Sequence, residues 1–370
     1  MMLSLHPTTT WLYIFNSVRI LAYPNKKLLE RGVFYYDGLL MPSFLLPTEL
    51  QPVLQDFFGK KKIKTKILRG GLLNQNEWLS VDGEKYVLKI YRLEMTEEKV
   101  KETHRLMKFV ANHDIPVSLP IKTVMSDGYV IALYPFISGE HPLRYKNTHI
   151  RMHKMGMMLG KIHSMLDTFS FKGKKPVYKK LCSWRADYAL DRIRGFRQAL
   201  FDHPASFRKE LTKILDVHEQ TILQQNWSMK GFDHLPIRLN EGDFHTKNIL
   251  MHGSQITAVL DWEKAEWGFR GFEVMRSTIF NCRKSATELS WPHIKSYLQG
   301  YKIFGRLNDL ERELAFECGY RNMVFSFWAI EQYLLGDKRF RDHIIRRISS
   351  IKTLTKHRTE YAKRIPELLR

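Results

Sequence analysis

The sequence predicts an α+β chain in which a small antiparallel sheet precedes a larger helical part. Two patterns carry this. Between residues 63 and 136 short apolar runs alternate with turn signals, among them Asp82-Gly83 and Ser126-Asp127-Gly128, as the strands of hairpins do. From His149 onward apolar residues recur at helical spacing instead, beginning with Met152, Met155, Leu159, Ile162 and Leu166. The composition agrees: 370 residues, 44% hydrophobic and 12% aromatic, exclude a disordered or low-complexity chain and allow one large two-lobed unit or two domains.

In chain order, residues 1–58 read as an irregular extension broken by Pro42, Pro47 and Pro52, with a short helix near 49–57. Residues 63–68, 77–81 and 85–91 read as strands, the first two separated by the pair Gly70-Gly71 and the last two by Asp82-Gly83. Residues 96–113 read as a helix capped by Thr96, with Glu98, Glu102, Leu106 and Phe109 on one face. Two further strands, 122–124 and 129–136, close the sheet. The expected division is an N-terminal extension (1–58) partly packed on the small lobe, a small lobe (59–135), and a helical lobe (136–370).

A net charge of +21 favours anionic partners without saying anything about fold. It concentrates in two places, Lys60, Lys61, Lys62, Lys64, Lys66 and Arg69, and residues 338–370, where eleven Lys/Arg face three acids. Solvated faces that favour solubility account for both clusters most simply. Zinc spacing, an aromatic pair for single-stranded nucleic acid and a helix-turn-helix are all absent from the sequence, so specific nucleic-acid binding is not expected. Cys182, Cys282 and Cys318 are too sparse for a disulfide framework. The apolar stretch 11–23 is too short and too polar to span a bilayer. The expected location is the cytoplasm, as a monomer or homodimer.

The chemistry concentrates in one segment. Asp243 is followed five residues later by Asn248, then by an apolar strand, a turn at His252-Gly253-Ser254, and a second strand ending in Asp261. This is the layout of a phosphoryl-transfer loop: one carboxylate to receive the proton of a hydroxyl, and an amide oxygen and a second carboxylate as hard ligands for Mg²⁺. Lys89 stands as a lone cation on an apolar strand, which costs desolvation unless an anion meets it.

Gly242-Asp243-Phe244-His245-Thr246-Lys247-Asn248, with Val259-Leu260-Asp261-Trp262-Glu263, resembles the loop of the aminoglycoside phosphotransferase and choline kinase-like family. That loop usually reads His-Gly-Asp-x-His-x-x-Asn. Met155-Gly156-Met157-Met158-Leu159-Gly160-Lys161-Ile162-His163 is similar to a second family signature, and the order of motifs spans about 63–335. The resemblance implies a bilobal protein-kinase-like fold and an ATP- or GTP- and Mg²⁺-dependent kinase acting on a hydroxyl of a small molecule. It implies Asp243 as base, Asn248 and Asp261 as metal ligands, and Lys89 on the nucleotide phosphates, steadied by Glu102, with Glu98 one turn earlier as the alternative. Gly70, Gly71 and Asn74 belong to the phosphate-covering loop, and Tyr134 and Phe136 flank the segment whose backbone would meet the base. His163 is expected to be structural.

Two departures stand out. Glu241 replaces the family's usual His, and Glu273 stands where an Asp is usual. Glu273 is a conservative replacement expected to be a structural anchor; Glu241, together with the basic segment 338–370, which would dock an anionic surface, supports an alternative: a weakly catalytic or non-catalytic assembly protein like the kinase-like spore-coat proteins. Because Asp243, Asn248, Asp261 and Lys89 are all present, an active enzyme is favoured. The basic acceptor lobe, with Arg185, Arg192, Arg194, Arg197 and Arg208, favours a neutral or anionic acceptor, such as a sugar or another metabolite, over a cationic antibiotic.

Overall fold

The computed structural model describes residues 45 and 47–370, except 69–72, 144, 173–176 and 286, together with a short strand pair, Tyr35–Tyr36 and Leu39–Leu40. Helix α1 (Pro47–Phe58) leads into a five-stranded antiparallel sheet of β1 (Ile63–Ile67), β2 (Gln75–Val81), β3 (Glu84–Ile90), β4 (Lys122–Ser126) and β5 (Tyr129–Pro135). The strand order is β1-β2-β3-β5-β4. Both hairpin turns form where the dipeptides predict them: Asp82 and Gly83 have φ of 52° and 89°, and Asp127 and Gly128 have 50° and 83°, as two-residue turns matching strand twist require.

Period-two alternation divides the sheet between two cores. Tyr129, Ile131 and Leu133 pack with Leu50, Val53 and Leu54 of α1, while Val130, Ala132 and Tyr134 face helix α2 (Glu97–Ala111). Thr96 caps α2, accepting from the Lys99 amide at 3.4 Å. The face that α2 buries is Val100, Thr103, Leu106, Met107 and Val110. Glu98 and Glu102 therefore lie off the buried stripe, because apolar burial sets the rotation of a helix more strongly than a carboxylate does. β1 is an edge strand, and four of its five residues are exposed. Lys64 and Lys66, two members of the first basic cluster, lie on this edge, where lysines disfavour pairing with a second sheet.

The larger lobe is built from helices. α3 (His149–Leu166), α4 (Val177–Ser183), α5 (Ala186–Ala199) and α6 (Ala205–Gln224) precede strand β6 (Ile237–Asn240), the hairpin β7 (Ile249–His252) and β8 (Gln255–Val259), and β9 (Glu266–Phe269). Helices α7 (Arg270–Asn281), α8 (Trp291–Phe304), α9 (Asp309–Phe325), α10 (Trp328–Leu334), α11 (Arg341–Lys356) and α12 (Arg358–Leu369) follow. The predicted stripe Met152, Met155, Leu159, Ile162 and Leu166 is buried to within 1%. α3 crosses α8 so closely that a Cβ on Gly156 would lie 1.9 Å from the Tyr297 carbonyl, which only glycine permits. The basic segment 338–370 folds onto this lobe through Phe340, Ile344, Ile351, Leu354, Tyr361, Ile365 and Leu369. Among the described residues no helix is long and apolar enough to cross a membrane.

Candidate active site

β3 carries Lys89 opposite Ala132 of β5, on the sheet face that looks toward the helical lobe. Its side chain is 9% exposed, and Nζ lies 2.6 Å from Asp261 Oδ1 and 2.5 Å from Glu263 Oε2. Burial alone would lower the Lys89 pKa, but the two carboxylates outweigh it and hold the group well above its ordinary value. Asn74 joins the same knot: its Nδ2 donates to Glu263 and its Oδ1 accepts from the Arg92 amide at 3.1 Å.

The helical lobe presents Asp261 in a left-handed conformation, φ 59° and ψ 52°, which is unfavourable for a residue with a Cβ. Its neighbours hold it there. The Leu260 amide donates to the Asn248 carbonyl at 2.8 Å, and buried Trp262 donates from Nε1 to the Val259 carbonyl at 3.0 Å. The β7–β8 register, Ile249 opposite Val259, brings Asn248 beside the strand end that carries Asp261. The Asp261 side chain remains 45% exposed toward the cleft.

Asp243 follows a strained turn. Gly242 has φ 89°, and a Cβ there would meet the Lys264 carbonyl at 2.0 Å. Buried Glu273 fastens this turn, accepting from the Glu241 amide at 3.1 Å and the Gly242 amide at 2.5 Å. His163 Nε2 donates to the same carboxylate at 2.8 Å, and its Nδ1 accepts from Tyr301 at 2.9 Å. Burial, then the nearby Arg270 charge, lowers the His163 pKa, so the imidazole is neutral and structural. For Glu273, burial pushes upward, but His163 and the loop amides bring the carboxyl below its usual value. Glu241 is fully buried, and its Oε2 accepts from the Asp243 amide at 2.8 Å. Burial, with the charges of Glu273 and Asp243, raises its carboxyl well above the usual range, which favours the neutral form of the acid that supports the turn.

Two cations and an imidazole surround Asp243, which is 4% exposed. Lys264 Nζ lies 2.7 Å from Oδ2, Arg276 Nη2 bonds Oδ1, and His245 Nε2 lies 3.3 Å from Oδ1. Asn248 Nδ2 donates to the Asp243 carbonyl at 3.1 Å and to Oδ2 at 3.2 Å. Burial opposes ionisation here, yet the charges of Arg276 and Lys264 overcome it and hold the carboxyl well below the ordinary carboxylate range. Burial brings His245 itself to about 4.

Asp243, Asn248, Asp261, Lys89 and Asn74 thus line one cleft. Glu102 departs from expectation: it does not steady Lys89 but is bonded by Arg105 at 2.7 and 2.8 Å and by the Lys172 amide at 2.8 Å. Glu98, the alternative, is exposed. Glu263 takes the role from the other lobe, while α2 presents His104 inward, 2.9 Å from the Tyr134 hydroxyl. Burial, then the Lys89 charge, brings His104 to about 4, so it adds no second cation. Tyr134 also bonds Tyr91 at 2.6 Å, so its phenol is committed to the interior. The Phe136 amide, one of the backbone groups expected to meet a base, donates to the Lys85 carbonyl at 3.1 Å, closing the ladder instead. Gly70 and Gly71 lie outside the described residues. Glu263, Lys264 and Arg276 were not assigned roles from the sequence. The signal available was the second acid and the lysine immediately following Asp261-Trp262.

Asp261 and Asn248 suit a small hard cation: one carboxylate open to the cleft, and one amide whose nitrogen is already turned to Asp243, leaving its oxygen as acceptor. Among the described residues no cluster of three or more His, Cys, Asp or Glu forms an all-protein cage. A Mg²⁺ site completed by phosphate oxygens has this character.

Residues 64–306 match the model of the phosphotransferase enzyme family. The chain belongs to this family. Among solved structures, this phosphotransferase superposes on the GDP complex of wild-type aminoglycoside 2'-phosphotransferase-IIIa with a TM-score of 0.54 at 13% identity, covering 82% of this chain and 98% of that one. A microcompartment-associated aminopropanol kinase gives 0.53 at 12% identity, covering 84% and 98%. The choline kinase of Cryptosporidium parvum Iowa II gives 0.50 at 15% identity, covering 83% and 92%. At these identities the likeness establishes the bilobal kinase-like fold. No curated protein matches the sequence.

Proposed function

We propose that this phosphotransferase moves the γ-phosphoryl group of ATP or GTP to a hydroxyl of a small molecule. The observation that carries the reading is the cross-lobe knot of Lys89, Asp261 and Glu263 beside the Asp243–Asn248 pair. Lys89 meets the nucleotide phosphates, exchanging part of its carboxylate contact for them, and Asn74 holds Glu263 in place. Asp261 and Asn248 hold the cation. Bound Mg²⁺ supplies neutralisation of the phosphate charge. Asp243 orients the acceptor hydroxyl and takes its proton, and Arg276 and Lys264 stabilise the charge that gathers between donor and acceptor. Aminoglycoside, aminopropanol and choline kinases share the fold, and two lines of evidence favour an enzyme over an assembly protein: the complete Asp243, Asn248, Asp261 and Lys89 set, and Glu241 serving the turn in place of the usual His.

Thermal unfolding tests the site without an acceptor. Millimolar Mg²⁺-ATP or Mg²⁺-GTP should raise the Tm of the wild type, and Asp261→Ala should remove the shift. No shift with either nucleotide in the wild type refutes the assignment.

A further inference from the structure

A groove of about 690 Å³ lies at the turn end of the β7–β8 hairpin, whose other end carries Asn248 and Asp261. Four segments build it. They are Asp114–Pro116 between α2 and β4, the stripe Lys154, Met157, Met158 and Lys161 of α3, Ser254–Ile256 at the hairpin turn, and Phe304 at the end of α8. None of these residues belongs to the cleft that holds Lys89, Asp261 and Asp243. The size falls within the range of small-molecule sites, about 300–1,000 Å³.

Side chains of α3 hold both walls in place. Lys161 Nζ donates to the Asp114 carbonyl at 3.2 Å, and Arg151 Nε donates to the Gly253 carbonyl at 2.8 Å. The walls are also tied to each other, because the Val259 amide donates to the Pro116 carbonyl at 2.8 Å. The groove is thus formed before anything enters it, which spares a ligand the cost of ordering its walls.

Apolar groups lie deep in the groove and charges lie toward solvent. Ile115 and Ile256 are 2% and 8% exposed, Met157 and Met158 are half-buried, and Phe304 alone of the apolar lining is exposed. Methionine side chains adapt to apolar shapes of many kinds. A recessed floor of this sort fits a small molecule better than a protein face, which buries about 800 Å² on each partner. Of the charged residues that line the groove, Lys154 and Lys161 are cations and Asp114 is the one acid. The Asp114 side chain is 95% exposed and lies 4.0 Å from Lys161, so water screens that pair. Among the described residues Lys154 has no carboxylate partner.

We propose that this groove is a second ligand site of the protein, for a small molecule with an apolar body and one carboxylate or phosphate end. The body lies on Met157, Met158 and Phe304, and the anionic end pairs with Lys154 in the field of Lys161. The site is separate from the phosphotransferase reading and stands or falls without it.

Methyl NMR on the full chain, with methionine labelled with carbon-13 at its methyl, tests the site. Met157→Leu and Met158→Leu identify the two resonances. Decanoate below its micellar concentration should shift both saturably and leave those of Met275 on α7 and Met323 on α9, buried elsewhere, in place. Decyl phosphate should act likewise, and the tighter of the two anions names the end group. Decanol and decyltrimethylammonium should bind at least tenfold more weakly. Lys154→Glu inverts an exposed charge without touching the core, and it should weaken decanoate at least tenfold. Failure of both anions to shift Met157 and Met158, or shifts spread evenly over all the methionines, overturns the site. Equal binding of decanol and decanoate, or unchanged binding to Lys154→Glu, overturns the anionic end.

Discussion

The two ends of the cleft balance charge in opposite ways. Around Lys89 a single cation faces two carboxylates, Asp261 and Glu263. Around Asp243 a single carboxylate faces Lys264 and Arg276. A lysine paired in advance stays fixed in place and can exchange partners when phosphate arrives. The net charge of +21 is not spread evenly: part lies along the edge strand and part on the exposed faces of α11 and α12.

The largest effect that tests this contrast comes from Asp243→Asn, which should lower kcat by about 10²–10⁴-fold while Mg²⁺-nucleotide binding persists. Turnover equal to wild type would remove Asp243 from the role of base. Next, the Lys89 end should depend on Glu263 rather than Glu102. Glu263→Gln, within a buried charge cluster, should cost about 1–3 kcal/mol in denaturant unfolding. Glu102→Gln breaks a partly exposed pair and should cost under about 1 kcal/mol. The reverse order would restore the pairing expected from the family.

The smallest effect is a stabilisation. Glu241 has a folded-state value raised above that of the unfolded chain, about 4.3, so unfolding releases a proton as pH rises past that value and stability declines until the folded value is reached. Glu241→Gln removes this dependence. Its Tm should match wild type near pH 4 and exceed it by a few degrees at pH 7–8. A difference independent of pH would mean that Glu241 is ionised in the fold.

Where local spacing sufficed, the sequence was readable. Asp243, Asn248 and Asp261 lie on one turn and one hairpin, so a few residues of separation already imply their meeting, and Asp82-Gly83 and Asp127-Gly128 specify their turns through positive φ. The stripe from Met152 to Leu166 specified its own burial. That α2 turns His104 inward, and neither Glu102 nor Glu98, was a question of helix rotation, settled by Val100, Leu106 and Val110 packing against the sheet.

By itself, then, the sequence determined the fold class, the family and the meeting of Asp243 with Asn248, because these follow from periodicity and short-range pattern. Only the tertiary structure decided which carboxylates hold Lys89 and which cations surround Asp243. Glu263 is 174 residues from Lys89 in the chain, and Arg276 is 33 from Asp243. Charge pairing at such separations is set by how lobes and helices pack, and no local pattern encodes it.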